Sequence, residues 1–228
     1  MIIEYTSGVS QVGIRVNTAS YRNWMLAACC VALAVSAACW LAPRAEAEAR
    51  VGEYVVLPAV MNDDGLYSQS WFLESFLDIG DDLSDATREG KRFAIIWEQK
   101  GCSYCEKTHL INLVDPEIQK FLRAHFTILQ LDIHGARKVT DFDGAEMEER
   151  ELARKFSVAF TPTIQFFPDQ IDAAAGLSGR QAEIVRMPGY FPPEAFLAMF
   201  RFIEDRAYET MIFPDYMRQL KQKAPVIE

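Results

Sequence analysis

The chain has 228 residues, half of them hydrophobic, with 32 acidic against 23 basic side chains and a formal net charge of −9. That length and apolar content suffice for one good-sized core plus a leader and a tail. The acidic balance argues against nucleic acid as a partner, because phosphate binding needs a basic face.

Arg15 and Arg22 precede an uncharged apolar run over 24–42, and Ala45-Glu-Ala-Glu-Ala49 follows it. A basic start, an apolar middle and small-x-small sites read as a secretory signal peptide over 1–49, cleaved after Ala47 or Ala49. The run is also close to the roughly 20 residues that span a bilayer, so an uncleaved N-terminal membrane anchor stands as the alternative. Either way the positive flank is N-terminal, which puts 50–228 outside the cytoplasm, in the periplasm or an equivalent compartment. Contact with a membrane is expected only if that segment stays uncleaved. Cys29, Cys30 and Cys39 all fall in the leader, so the exported part keeps only Cys102 and Cys105. A structural disulfide framework would need more cysteines at wider spacing.

Residues 50–87 read as an N-terminal extension. Gly52 to Pro58 is a short apolar strand or arm, and Asn62 to Gly65 is a turn. The spacing of Trp71, Phe72, Ser75, Phe76 and Ile79 predicts one amphipathic helix over 68–87, with the acidic run Asp78 to Asp85 as its solvated face. Residues 88–210 read as the main domain. Phe93 to Glu98 is a buried strand. A helix from Cys102 to Val114 is interrupted at Asp115-Pro116 and resumes over 117–124. Phe126 to Asp132 is a strand, 134–145 a polar loop, Glu146 to Phe156 a helix and Thr163 to Phe167 a strand. A loop over 171–180, a strand over 183–187 and a helix over 194–209 opened by Pro192-Pro193 complete it. Residues 211–228 form a short C-terminal tail with a helix over 216–221. This alternation predicts an α/β fold, a central mixed sheet flanked by helices.

The chemistry concentrates in Gly101-Cys-Ser-Tyr-Cys105. A cysteine at a helix start meets unsatisfied backbone N–H groups, which favour its thiolate. The second cysteine is one turn deeper and within reach of a disulfide. Glu98, at the end of the preceding strand, is the candidate for proton transfer. His109 shares a helix face with both cysteines at i, i+3, i+7. A Cys2His metal site falls short of the four ligands of a structural zinc, so His109 reads as a packed or surface histidine, and no metal or cofactor is expected.

At Thr161-Pro162-Thr163, about 60 residues after the cysteine pair, a second feature appears. A proline there, directly before a strand, resembles the cis-proline of the thioredoxin superfamily. The resemblance covers roughly 88–210 and is most similar to periplasmic thioredoxin-like proteins of the SoxW type. It rests on Trp97-Glu-Gln-Lys-Gly-Cys-Ser-Tyr-Cys105, Leu129-Gln-Leu-Asp132, Glu151-Leu-Ala-Arg-Lys-Phe156, Phe160-Thr-Pro-Thr-Ile-Gln-Phe-Phe167 and Met187-Pro-Gly-Tyr190. It implies a thioredoxin fold with a Cys102–Cys105 disulfide, Cys102 attacking and Cys105 resolving. It also implies that Thr161, Pro162 and Tyr104 shape the substrate groove. Two departures stand out. Ile96 occupies the place of the buried Asp of cytosolic thioredoxins, and Ser103-Tyr104 replaces Gly-Pro between the cysteines. A tyrosine at that place and a threonine before the proline also occur in bacterial disulfide isomerases. The expected function is an extracytoplasmic thiol–disulfide oxidoreductase that reduces disulfides of exported proteins. A membrane thiol donor and sulfur-oxidation proteins are its implied partners. A disulfide isomerase or oxidase is the alternative within enzymes. A metal-carrying or chaperone-type binding module is the alternative outside them.

Overall fold

The computed structural model describes residues 54–223. The signal peptide or anchor read at 1–49 lies outside the described residues. Among them no helix is long and apolar enough to cross a membrane.

A four-stranded sheet organises the chain, in the order β4-β3-β7-β8. Its strands are β3 (Arg92–Glu98), β4 (Phe126–Asp132), β7 (Thr163–Phe166) and β8 (Val185–Pro188). β3 runs parallel to β4 and antiparallel to β7, which is antiparallel to β8. All seven residues of β3 are buried, as a central strand covered on both faces requires. Strand alternation sends Ala94 and Ile96 into one core layer, with Leu113, Ile118, Leu122, Phe166 and Phe200. Phe93, Ile95 and Trp97 enter the other, with Leu83, Leu152, Phe156 and Phe167. Glu98 shares the parity of Ile96 and therefore ends up beneath the cysteine helix.

Helices α1 (Ile79–Arg88), α2 (Ser103–Lys107), α3 (Pro116–His125), α4 (Glu149–Lys155), α5 (Gly179–Ala182), α6 (Pro193–Glu204) and α7 (Phe213–Lys223) accompany the sheet. The Asp115 side chain caps α3 by accepting from the N–H groups of Glu117 and Ile118, and Pro116 sits at its first turn. Two short hairpins are added: β1 (Ala59–Met61) with β2 (Tyr67–Gln69), and β5 (Lys138–Thr140) with β6 (Glu146–Glu148).

Four sequence expectations are corrected. The single helix over 68–87 is a strand, a loop and a shorter helix. β2 takes Tyr67–Gln69, Leu77 turns the chain at φ +66°, and the Asp78 carboxylate caps α1 by accepting from Gly80 and Asp81 N–H. Trp71 and Phe72 still pack on the sheet, but Phe76 is fully exposed. The acidic run is not wholly solvated either, since Asp82 is half-buried and bonded to Ser75 Oγ at 2.6 Å. The polar loop over 134–145 holds β5, which pairs with β6, so the helix placed at Glu146 begins at Glu149. In the tail, α7 is longer than expected and docks on α6, with Tyr216 buried against Phe202 at 5.3 Å between ring centroids.

Candidate active site

β3 delivers the chain to Gly101, whose φ of +72° turns it into α2. Cys102 is the N-cap of that helix, and its Sγ accepts the N–H of Cys105 at 3.0 Å. This is the local geometry that favours a thiolate at the first cysteine. Cys102 and Cys105 are joined as a disulfide, Cα atoms 5.2 Å apart. Cys102 is half-exposed, whereas Cys105 is only 5% exposed. After Lys107 the helix widens into a π turn, Thr108–Asn112, where Thr108 Oγ1 bonds back to Tyr104 O at 3.0 Å.

The sheet brings Thr161 and Pro162 to the same place. The Thr161–Pro162 peptide is cis, and the Thr161 hydroxyl donates to Cys102 Sγ at 3.3 Å. Gly189 N–H donates to Pro162 O at 2.7 Å, which ties the Pro-Gly turn to the proline. Tyr104 is exposed and stacks on Tyr190, centroids 6.0 Å apart and planes 15° apart. The Tyr190 hydroxyl donates to Asn112 Oδ1 at 3.4 Å, and the Lys107 ammonium lies 5.5 Å from the Tyr104 ring centre. Phe160, exposed, adjoins Thr161 in sequence. Tyr190 was not among the site residues expected from sequence; its signal was the Pro-Gly-Tyr run at the end of the last strand.

Behind α2 lies a buried polar cluster. Glu98 is 1% exposed and His109 is fully buried. His109 Nε2 stands 3.0 and 2.9 Å from the two Glu98 oxygens. The Gln130 amide nitrogen also donates to Glu98 Oε2. Gln69 Nε2 approaches His109 Nδ1 at 3.3 Å. His109 is thus a packed histidine with both ring nitrogens engaged. Among the described residues no group of three or more His, Cys, Asp or Glu is placed to hold a metal ion. Gln69 and Gln130 were invisible as site residues, because nothing local ties them to the cysteines. Chemically, the arrangement offers an accessible sulfur at a helix start, a recessed second sulfur and a buried ionisable pair beneath them.

No curated protein shows significant sequence similarity to the chain. Among solved structures, a thioredoxin-fold protein from Helicobacter pylori aligns at 27% identity over 58% of this chain and 81% of its own, with a TM-score of 0.43. A thioredoxin from Thermus thermophilus aligns at 24% identity over 55% of this chain and 83% of its own, TM-score 0.42. A DsbH oxidoreductase aligns at 13% identity over 74% and 100%, TM-score 0.39. A thioredoxin-like domain model matches residues 79–204, starting at the first residue of α1 and spanning more than half of the sequence, and the chain belongs to that thioredoxin-like family.

Proposed function

We propose that this protein is an extracytoplasmic thiol–disulfide oxidoreductase that reduces disulfides in exported proteins. The observation that carries the reading is the Cys102–Cys105 disulfide at a helix start, with the hydroxyl of Thr161, the residue before cis-Pro162, bonded to Cys102. In the reduced protein, the Cys102 thiolate attacks a substrate disulfide and releases one substrate thiolate, which takes a proton from water. Cys105 then loses its proton and attacks Cys102 Sγ. The mixed disulfide breaks, the second substrate thiolate leaves and is protonated, and Cys102–Cys105 reforms. Two electrons pass from the protein to the substrate; of the two protons the substrate thiols gain, Cys105 releases one and water supplies the other. Glu98 serves the Cys105 proton from the buried side. Tyr104, Thr161 and Pro162 position the substrate chain.

The compartment rests on the leader at 1–49 and the lone cysteine pair beyond it. The SoxW-type resemblance adds exported sulfur-oxidation proteins as substrates and a membrane thiol donor as the source of electrons. Tyr104 and Thr161 also support a second reading as a disulfide isomerase, and the reduction potential separates the two. A value near that of thioredoxin, about −270 mV, fits a reductase, and one near about −120 mV sinks that reading. The direct test is trapping with Cys105→Ser in the intact cell. Exported proteins held on Cys102 as reducible mixed disulfides are expected; an empty trap overturns the proposal.

A further inference from the structure

Exchange at Cys102 does not account for one atom behind the helix. Gln69 is 3% exposed, and its Oε1 is buried without a hydrogen-bond partner among the described residues. A buried acceptor left unpaired calls for an explanation. The neighbouring ring supplies one. His109 Nε2 faces both Glu98 oxygens, so one N–H is shared between them. A neutral ring then carries a lone pair at Nδ1, and the Gln69 amide N–H points at it. If His109 takes a second proton, Nδ1 becomes a donor and that contact turns repulsive. An amide carries its donor and acceptor side by side, so a half-turn about its last torsion exchanges them. Turned, the idle Oε1 accepts from the new Nδ1–H, at the expense of the 3.4 Å bond from Gln69 Nε2 to His109 O.

We infer that His109 receives the Cys105 proton in the resolving step, and that Gln69 is the positioning residue whose amide turns to hold the imidazolium. This rests on the exchange reading above and changes one detail of it: His109 is the direct acceptor of the Cys105 proton, and Glu98 acts by holding the ring at Nε2. His109, in the π turn that continues α2, follows Cys105 by four residues, and both are buried. Residues four apart on a regular α-helix have Cβ atoms about 5–6 Å apart, a scale over which one water can carry a proton. The step balances. Cys105–SH and neutral His109 become thiolate and imidazolium, the thiolate attacks Cys102 Sγ, and the imidazolium later gives the proton to water.

The surroundings suit a transient charge. The Glu98 carboxylate faces the ring from β3, with Gln130 of β4 donating to that carboxylate. Tyr67 of β2 and Phe72 of the following loop contribute rings, centroids 6.4 and 5.7 Å from that of His109. A route outward exists as well. Gln69 and Gln130 line a cavity of about 990 Å³, whose charged groups are Asp64, Glu74, Lys100, Asp132, His134, Arg137 and Glu149. Glu149 and Arg137 pair with each other across it at 2.6 Å.

The test uses the reduced chain with Cys29, Cys30 and Cys39 replaced by Ser, and dithiobisnitrobenzoate, whose two thionitrobenzoate releases then report attack by Cys102 and displacement by Cys105. His109→Gln and Gln69→Leu are expected to slow the second release about tenfold or more at pH 7. The first release should change less than threefold, and the deficit should shrink at pH 9, where hydroxide deprotonates Cys105 directly. Nitrogen NMR of the oxidised parent at pH 7 should find the His109 proton on Nε2. That reading needs no variant, and a proton on Nδ1 overturns the inference. An intact first release with an unaltered second in both variants overturns the role of His109 alone. A first release no faster than that of free cysteine overturns the exchange reading, and this inference with it.

Discussion

On the solvent side of the cysteine helix, the Thr161 hydroxyl reaches Cys102, Tyr104 stacks on Tyr190, and Tyr104 and Phe160 are open to solvent. On the sheet side, Glu98, His109 and Gln69 are closed off, each within hydrogen-bond distance of another member of the set. The open side has apolar surface for a substrate chain and few committed polar groups. The closed side has buried polar groups that bond mainly to one another. One five-residue helix therefore separates two tasks: bond exchange with a foreign sulfur in front, and proton management behind. The two cysteines divide along the same line, Cys102 half-exposed and Cys105 buried.

The largest expected effect tests the front. Cys102→Ala removes the only accessible sulfur of the pair and is expected to cut insulin reduction by roughly 10³-fold or more. Cys105→Ser should keep the first attack and lose turnover. If Cys102→Ala retained a tenth of the parent activity, the division between the two cysteines would be wrong.

Next comes the rear. Glu98→Ala leaves the His109 N–H without its acceptor, while the Gln130 amide keeps the Tyr67 carbonyl. Leaving that buried N–H unsatisfied costs about 2–3 kcal/mol, to be read from the urea midpoint. Glu98→Gln keeps an acceptor and should cost about 1 kcal/mol. Equal costs would mean that the cluster is held by packing rather than by its hydrogen bonds.

Tyr190→Ala returns to the front with a smaller effect. It removes the ring stacked on Tyr104 and should cost about 1 kcal/mol. It should also raise KM for a protein disulfide more than for a small one. Tyr190→Phe keeps the stack and loses only the long bond to Asn112, so it should behave as the parent.

The front was largely legible in the sequence, and the rear was not. The cysteine pair, the apolar strand before it, the capped restart at Asp115-Pro116 and Thr161-Pro162 are local signals, each written in adjacent residues. Cys102 and Thr161 meet across 59 positions, yet each announces itself alone. Glu98 was marked only by strand parity, and its depth depended on β4 and on the α2 face beneath which it ends. Gln69 joins His109 across 40 positions and has no motif of its own. The segment holding it was misread, because Trp71, Phe72, Phe76 and Ile79 fit a helical period. The competing information lay in Asp78, whose carboxylate starts the helix there, and in cross-strand pairing with β1. β5 and β6 were missed for a related reason. Three-residue strands reading Lys-Val-Thr and Glu-Met-Glu offer one buried anchor, Val139, too little for a period.

The smallest effect sets Glu98 beside a half-buried carboxylate, Asp82. Glu98 has nitrogen donors on both oxygens, whereas Asp82 has the Ser75 hydroxyl and carboxylate neighbours. Burial raises the pKa of Asp82 from its ordinary 3.8 to about 6; the Ser75 bond opposes this, and Asp78, Asp85 and Asp81 add to it. The folded chain thus holds this proton more tightly than the unfolded chain. As pH rises from about 4 to about 6 the unfolded state ionises first, so stability falls across that window and levels off above it. A shift of about two units corresponds to about 3 kcal/mol for a fully enclosed group, and solvent reaching the half-buried Asp82 screens this to about 1 kcal/mol. Asp82→Asn cannot ionise. It should match the parent near pH 4 and exceed it by about 1 kcal/mol above pH 6, read from urea midpoints at pH 4.5 and 7.5. Glu98→Gln should instead be less stable than the parent at pH 7.5. If both variants moved in the same direction there, a buried carboxylate's hydrogen-bond partners would not be what separates the two sites.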